Sequence, residues 1–159
     1  MKKDESNLRN FNFKRLYNSA SAEETIAIGQ EIGNRAGPGA VICLFGDLGA
    51  GKTTLIKGIV SALTDVMPED VCSPTFAYLA IYEGKCPVYH FDLYRLKDAE
   101  AFLSLGFEEY LFSQGVCCLE WSERVTPILP RHSLPVIITY EGLGKRKIVI
   151  EDHNEVSKS

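Results

Sequence analysis

The sequence lacks the excess of positive charge that nucleic-acid-binding surfaces carry. Its 17 lysine and arginine residues are outnumbered by 21 aspartate and glutamate residues, which gives a net charge of -4. The one dense basic run, Lys145–Lys147, is best interpreted as the solvated end of a strand. Any role in RNA chemistry is therefore expected to depend on protein partners, with RNA contacted only indirectly.

Cysteine patterns that would indicate disulfides or zinc are also missing. The five cysteines are odd in number and no C-x-x-C pair occurs, so neither a disulfide framework nor a zinc site is expected. Cys43, Cys117 and Cys118 lie in apolar runs, which predicts buried thiols. Free thiols fit a reducing cytoplasm, where we expect the protein to act.

Long apolar runs and internal boundaries are absent too. No stretch approaches the roughly 20 apolar residues that a membrane span needs, and the polar N-terminus predicts no signal peptide. No linker, repeat or low-complexity tract divides the 159 residues. We therefore expect a single domain over residues 1–159, with flexible ends at about 1–10 and 153–159.

A phosphate-binding motif follows the apolar run AVICLF. Residues Gly46–Thr53 read GDLGAGKT, which is the P-loop pattern G-x-x-x-x-G-K-[ST] between a predicted strand and a predicted helix. Glycines let backbone N–H groups surround phosphate oxygens, and the helix N-terminus adds positive charge. A glycine-rich turn with a chance lysine would not explain Lys52 and Thr53 side by side at a helix start. The predicted phosphate contacts are Gly46, Asp47, Leu48, Gly49, Ala50, Gly51, Lys52, Thr53 and Thr54.

Helices and strands alternate around this motif. A capping box at Ser21–Glu24 predicts a helix over Ala22–Arg35, and a second helix is predicted over Lys52–Leu63. A third helix is capped by Asp98 and ended by Gly106, and a short fourth one is predicted at Glu108–Phe112. Strands are predicted over Phe11–Tyr17, Ala40–Phe45, Ser73–Tyr82, Val88–Leu93, Val116–Glu120, Pro135–Tyr140 and Arg146–Glu151. This order predicts an α/β domain of three layers, P-loop NTPase-like, with a mixed, mainly parallel sheet.

Two acidic residues end apolar strands, where a P-loop protein would need them. Asp92 ends VYHFD and Glu120 ends VCCLE, and both runs resemble the strand that brings a carboxylate to Mg²⁺. Glu120 reaches the P-loop if its strand runs parallel to Ala40–Phe45. Asp92 would reach the P-loop by the same argument. The hairpin predicted around Glu83–Lys85 could, however, reverse the direction of the strand next to it. The alternative for each acid is a helix cap or a surface position.

Three further residues have two interpretations each. Thr75 is either a switch-like hydroxyl that senses the γ-phosphate or part of a strand-opening Ser-Pro turn. His90 shares a strand face with Asp92, and packing or hydrogen bonding is favoured over catalysis. Trp121 follows Glu120 and would point away from it along a strand, so core packing is its default role.

Two absences narrow the kind of nucleotide enzyme. The guanine-reading motif N-K-x-D does not occur, which favours ATP over GTP. No arginine-rich lid is visible, since Arg95, Arg124 and Arg131 are scattered. A small-molecule kinase, which would need such a lid, is therefore the weaker interpretation.

The segments GDLGAGKTTLIKG, SPTF, HFDLYRL and LEWSER, in this order, resemble the TsaE (YjeE) family. The resemblance covers about Thr25 to Pro130. It implies a Mg²⁺-dependent ATPase subunit that acts on a TsaB–TsaD complex, in which TsaD attaches threonylcarbamoyl to adenosine 37 of tRNA. The resemblance also implies that ATP hydrolysis resets that complex between turnovers.

The same resemblance implies roles for individual residues. Lys52 and Thr53 would contact phosphate and metal, Glu120 would bind Mg²⁺, and Asp92 would be the catalytic or water-positioning acid. Thr75 would belong to the switch-like segment, and Trp121 would lie near the site. Lys145 would be a basic residue close to ATP. A P-loop kinase and a nucleotide-gated binding module with negligible turnover remain the alternatives.

Overall fold

The computed structural model describes residues 15–151. The flexible ends predicted at 1–10 and 153–159 lie outside this range, as does most of the predicted strand Phe11–Tyr17. Within residues 15–151 the strands are β1 (Leu16–Ser19), β2 (Val41–Phe45), β3 (Leu79–Tyr82), β4 (Val88–Asp92), β5 (Val116–Glu120), β6 (Leu134–Gly142) and β7 (Lys145–Ile150). The α-helices of the same range are α1 (Ala22–Arg35), α2 (Lys52–Leu63), α3 (Ala99–Ser104) and α4 (Glu108–Leu111). Short 3-10 turns occur at Pro68–Asp70, Ser122–Arg124 and Thr126–Ile128.

The strands form one sheet in the order β1-β7-β6-β2-β5-β4-β3. The four central strands run in one direction, because β2 pairs parallel with both β5 and β6, and β4 pairs parallel with β5. The strands β3 and β7 run antiparallel to their neighbours. The predicted mixed, mainly parallel sheet is therefore confirmed.

Two hydrophobic cores lie on opposite faces of the sheet and make the fold three-layered. One core packs α1 and α2 against the sheet through side chains such as Ile32, Leu55 and Ile148. The other packs α3, α4 and the segments beside them through a cluster that includes Phe91 and Phe102. The predicted P-loop NTPase-like α/β class is thus confirmed.

Local sequence signals account for the ends of the helices. The Ser21 hydroxyl accepts a hydrogen bond from the Glu24 N–H (3.1 Å), and the Glu24 carboxylate accepts one from the Ala20 N–H (2.6 Å). The Ser21 half of the predicted capping box therefore forms, Glu24 binds the N–H one residue before the cap, and α1 starts at the expected residue. Asp98 caps α3 in the same way by accepting from the Ala101 N–H (2.9 Å).

One predicted strand is much shorter than expected. The strand predicted over Ser73–Tyr82 is observed only as β3, Leu79–Tyr82. The reason is a turn: the Tyr78 N–H donates to the Pro74 carbonyl (2.8 Å), and Tyr78 has a positive φ of 65°. This turn takes Thr75 out of the extended segment in which the sequence placed it.

The predicted buried thiols are confirmed. Cys43, Cys117 and Cys118 are buried, and all five cysteines are free. Burial raises the pKa of both Cys43 and Cys117 to about 12, so these thiols stay protonated at neutral pH. Within residues 15–151, no helix combines the length and apolar character needed to cross a membrane.

Helices α1 and α2 approach each other through their backbones. A Cβ at Gly29 would lie 2.1 Å from the Leu55 carbonyl oxygen, and a Cβ at Gly58 would lie 2.1 Å from the Ile26 carbonyl oxygen. No side chain fits at such a distance, so this contact requires glycine at both positions. It holds α2, and with it the P-loop, in place on the sheet.

We expect Gly58→Ala to destabilise the protein although alanine is the better helix former. The propensity gain of about 1 kcal/mol is opposed by the clash with α1, and overpacking of this kind typically costs about 1–3 kcal/mol. A net loss of unfolding free energy should appear in urea titrations. Ala27→Ser, on the exposed face of α1, is the control and should change stability by less than about 0.5 kcal/mol. A more stable Gly58→Ala variant would contradict the close approach.

Candidate functional site

The P-loop joins β2 to α2 through a tight glycine-rich turn. Gly49 and Gly51 have positive φ values of 79° and 112°, a region that favours glycine. The Ala50 N–H donates to the Asp47 carbonyl (3.0 Å), which closes the turn just before α2 begins at Lys52. The sequence signal for this motif is local, and the predicted strand, loop and helix all form where expected.

The loop also packs against the hairpin of β6 and β7. A Cβ at Gly46 would lie 2.5 Å from the Ile138 carbonyl oxygen, and one at Gly51 would lie 2.8 Å from the Arg146 Nε. The start of the loop, Gly46–Ala50, and the β6 residues Ile137–Tyr140 border a cavity of about 460 Å³. The P-loop is therefore packed against the hairpin at Gly46 and Gly51 and borders an open cleft on the β6 side.

Lys52 is held at the start of α2 by three groups. Its ammonium donates to the carbonyl oxygens of Gly46 and Asp47, the latter at 2.9 Å, and lies 4.1 Å from the centre of the Trp121 ring. The side chain is buried, and this burial lowers the pKa of Lys52, while nearby carboxylates, Glu120 first among them, act in the opposite direction. Contacts within the protein thus fix the position of the lysine side chain.

The two strand-ending acids lie side by side. Asp92 and Glu120 are register partners on the parallel strands β4 and β5, and both are buried, with 5% and 4% of their surface exposed. Glu120 reaches the P-loop because β5 is parallel to β2, as the sequence argument required. In the hairpin of β3 and β4, β3 is the strand that runs against the central strands. Strand β4 runs parallel to β5, so Asp92 lies at the same edge of the sheet as Glu120.

Hydroxyl groups connect these carboxylates to the P-loop and to the segment before β3. Thr53 Oγ1 donates to Glu120 Oε1 (2.8 Å). The single Ser73 hydroxyl proton is shared between the two acids, with Ser73 Oγ 3.2 Å from Glu120 Oε2 and closer to Asp92 Oδ2. Thr75 Oγ1 donates to Asp92 Oδ2 (3.1 Å). Ser73, which the sequence argument did not single out as a separate site residue, therefore bridges the two carboxylates.

Three residues with open interpretations can now be placed. Thr75 lies in a turn, not a strand, yet its hydroxyl reaches Asp92. His90 is fully buried and bonds to Glu120, which agrees with the hydrogen-bonding role favoured for it. Core packing does not fully describe the role of Trp121. Strand β5 ends at Glu120, and Trp121 has a positive φ of 61°, which places its ring against the Lys52 ammonium.

The basic residue beside the P-loop is Arg146. Lys145 is exposed and lines a groove together with Glu24, Glu141 and Arg146. Arg146 packs against Gly51, and its guanidinium lies 5.5 Å from the Tyr140 ring. Neighbouring strand residues point to opposite faces, and of the two it is Arg146 that meets Gly51. The ATP contact expected of Lys145 stays a prediction. The sequence run KRK alone does not reveal which of its members faces the loop.

The oxygen-rich site fits a magnesium ion bound together with phosphate. No group of three or more His, Cys, Asp or Glu side chains in residues 15–151 forms a ready metal cluster. Mg²⁺ commonly needs none, because it binds through one or two carboxylates, substrate phosphates and water. The Thr53 hydroxyl and the Glu120 carboxylate, already in contact beside the P-loop, supply suitable hard oxygen ligands.

Comparison with known proteins gives a consistent result. Residues 19–148 match the family model described as "Threonylcarbamoyl adenosine biosynthesis protein TsaE". This match includes most of the final hairpin, beyond the Thr25–Pro130 range of the sequence resemblance. The chain is similar to proteins named tRNA threonylcarbamoyladenosine biosynthesis protein TsaE from Treponema pallidum and Bacillus subtilis. The first is 38% identical over 83% of this chain and 96% of the relative, and the second is 40% identical over 83% and 82%.

A solved structure supports the same comparison. The crystal structure of Bacillus subtilis YdiB superimposes with a TM-score of 0.69 at 35% sequence identity. It covers 85% of this chain and 82% of the other chain. The likeness therefore extends over most of both chains.

Proposed function

The chain belongs to the TsaE family of tRNA threonylcarbamoyladenosine (t6A) biosynthesis proteins, and on that premise we propose that it binds and hydrolyses ATP with Mg²⁺. One observation carries the proposal: the P-loop residue Thr53 is hydrogen-bonded to Glu120, whose register partner is Asp92. A phosphate-binding loop and two buried carboxylates thus meet at a single edge of one sheet. We propose that residues 1–159 form a single P-loop domain built around this edge.

ATP would bind with its phosphates in the loop Gly46–Thr54. Backbone N–H groups of the glycine-rich turn and the N-terminus of α2 supply donors for the phosphate oxygens. Lys52 supplies a charge for the β- and γ-phosphates, and its contacts to two loop carbonyls and Trp121 hold it in reach. Arg146, packed on Gly51, is the basic side chain that β7 contributes beside the loop.

Hydrolysis requires a metal ion and an oriented water molecule. Mg²⁺, held by Thr53 and Glu120 together with phosphate oxygens, would neutralise negative charge on the phosphates. Asp92 would position the attacking water, with its own carboxylate oriented by Ser73, Thr75 and the Tyr94 N–H (3.0 Å). The water oxygen bonds to the γ-phosphorus while the bond to the β–γ bridging oxygen breaks, which yields ADP and phosphate. Catalysis then rests on positioning and charge stabilisation.

The biological role follows from the family. Relatives carry the name of a tRNA threonylcarbamoyladenosine biosynthesis protein, which places the chain in a pathway with other t6A proteins. We propose that it acts on a TsaB–TsaD complex during N6-threonylcarbamoylation of adenosine 37, and that ATP hydrolysis resets this complex. The net charge of -4 supports contact with tRNA through these partners, not directly. The free cysteines support a cytoplasmic location.

The partner proposal is tested by calorimetry with purified TsaB–TsaD. We expect binding with ATP and weaker or no binding with ADP, because γ-phosphate contacts can order a switch-like segment such as the one around Thr75. Phosphate release should increase when the partners are added. Little tRNA should bind the isolated chain. Tight tRNA binding by the chain alone, or no binding to TsaB–TsaD with any nucleotide, would overturn the proposed role.

ATP should bind more tightly than GTP. The sequence contains no N-K-x-D, and the loss of a few base-specific hydrogen bonds is worth about tenfold or more in affinity. Trp121 is the single tryptophan and lies against Lys52, so its emission should report nucleotide binding directly. Competition between the two nucleotides, followed at this residue, measures the preference. Equal or tighter binding of GTP would be evidence against both the ATPase and the family-based role.

A further inference from the structure

A buried histidine outside the residues assigned above contacts the proposed metal ligand. His90 lies on β4, two residues before Asp92, and has no exposed surface. Its Nε2 is 2.7 Å from Glu120 Oε2. A contact this short between two buried groups is a hydrogen bond whose loss would leave a carboxylate oxygen without that donor.

The hydrogen-bond pattern assigns the direction of this contact. His90 Nδ1 is buried and has no hydrogen-bond partner in residues 15–151. The ring proton is therefore best placed on Nε2, where it is donated to the carboxylate. His90 thus acts on Glu120 as a donor from within the core.

The two oxygens of Glu120 have different partners as a result. Oε2 accepts from His90 and, at 3.2 Å, from Ser73. Oε1 accepts from Thr53, the P-loop residue proposed to hold Mg²⁺ with it. Fixing Oε2 from the core side determines where Oε1 lies relative to Thr53.

We propose that His90 is a positioning residue that orients the Glu120 carboxylate for Mg²⁺. This inference rests on the proposed ATP and Mg²⁺ site and adds a group that does not itself touch either one. Hydrogen-bond partners of metal ligands typically contribute about 10- to 100-fold in metal affinity or activity. A histidine that only fills the core would instead affect stability without affecting the metal requirement.

The test compares His90→Gln, His90→Asn and Val88→Ala. Glutamine can place an amide N–H near the position of Nε2, whereas asparagine is too short to reach Glu120. Val88 is buried on the same face of β4, in the core beneath α1 and α2, so its truncation is a control for lost packing. ADP binding is followed by Trp121 fluorescence during Mg²⁺ titration and again in EDTA, and thermal unfolding is recorded for each protein.

We expect His90→Asn to raise the half-saturating Mg²⁺ concentration about 10-fold or more, with unchanged ADP affinity in EDTA. The half-saturating Mg²⁺ concentration of His90→Gln should lie close to that of the wild type. That of Val88→Ala should be unchanged, even if the melting temperature of this variant falls. Equal Mg²⁺ requirements in His90→Asn and wild type, or in the asparagine and glutamine variants, would overturn the positioning role alone. A wild-type protein that binds ADP without any Mg²⁺ effect would overturn the proposed metal site and this inference with it.

Discussion

Lys52→Met should abolish measurable ATP hydrolysis and weaken ATP binding by about 100-fold or more. Methionine keeps the apolar stem but removes the one ammonium that the P-loop motif directs at the β- and γ-phosphates. A charge-assisted hydrogen bond contributes about 1.5–3 kcal/mol, and the loss of a donor that stabilises transition-state charge costs about 10²–10³ in rate. Calorimetric ATP titration and a phosphate-release assay measure the two effects separately.

The matched control for this variant is Lys57→Met. Lys57 lies on the same helix, five residues further along, and donates to the carbonyls of Pro68 (3.2 Å) and Val71 (2.6 Å), away from the P-loop. It should lose some stability and keep both ATP affinity and turnover. If Lys52→Met binds and hydrolyses ATP like the wild type, the interpretation of Gly46–Thr53 as a nucleotide site is wrong.

The parts of the fold that local sequence determines could be predicted closely. Helix α2 begins and ends at the predicted residues, because the P-loop motif defines its start and its apolar positions recur at helical spacing. Helix α1 also begins and ends at the predicted residues, because the Ser21 side chain caps its first turn. Strand β5 has the predicted bounds, since VCCLE is a short buried run that ends at an acid.

Non-local geometry is what the sequence could not supply. The direction of β4 depends on its pairing with β5, so Asp92 could be placed at the site only conditionally. The positive φ of Tyr78 shortens β3, and nothing in the sequence SPTFAY requires that conformation of a tyrosine. The choice between Lys145 and Arg146 depends on which face of β7 meets Gly51, and this is decided by the register of β7 against β6.

The two buried acids should lose function in different ways when each is replaced by alanine. Glu120 contacts the P-loop hydroxyl of Thr53, so its proposed role is to hold the metal ion. Asp92 contacts the hydroxyls of Ser73 and Thr75 and the Tyr94 N–H, so it is tied to the switch-like segment. The structure thus gives each carboxylate its own partners apart from the shared Ser73, although the two acids lie side by side.

Glu120→Ala should therefore weaken Mg²⁺-dependent ATP binding, whereas Asp92→Ala should leave binding nearly unchanged and slow turnover by about 10²-fold or more. The exposed residue Glu109 on α4 provides the control, since Glu109→Ala removes a carboxylate that takes part in none of these contacts. ATP titrations with and without Mg²⁺, combined with single-turnover hydrolysis, separate binding from chemistry. Equal losses of Mg²⁺-dependent binding in both variants would remove the division of roles. Unchanged turnover in either variant would show that its acid serves the fold and not the reaction.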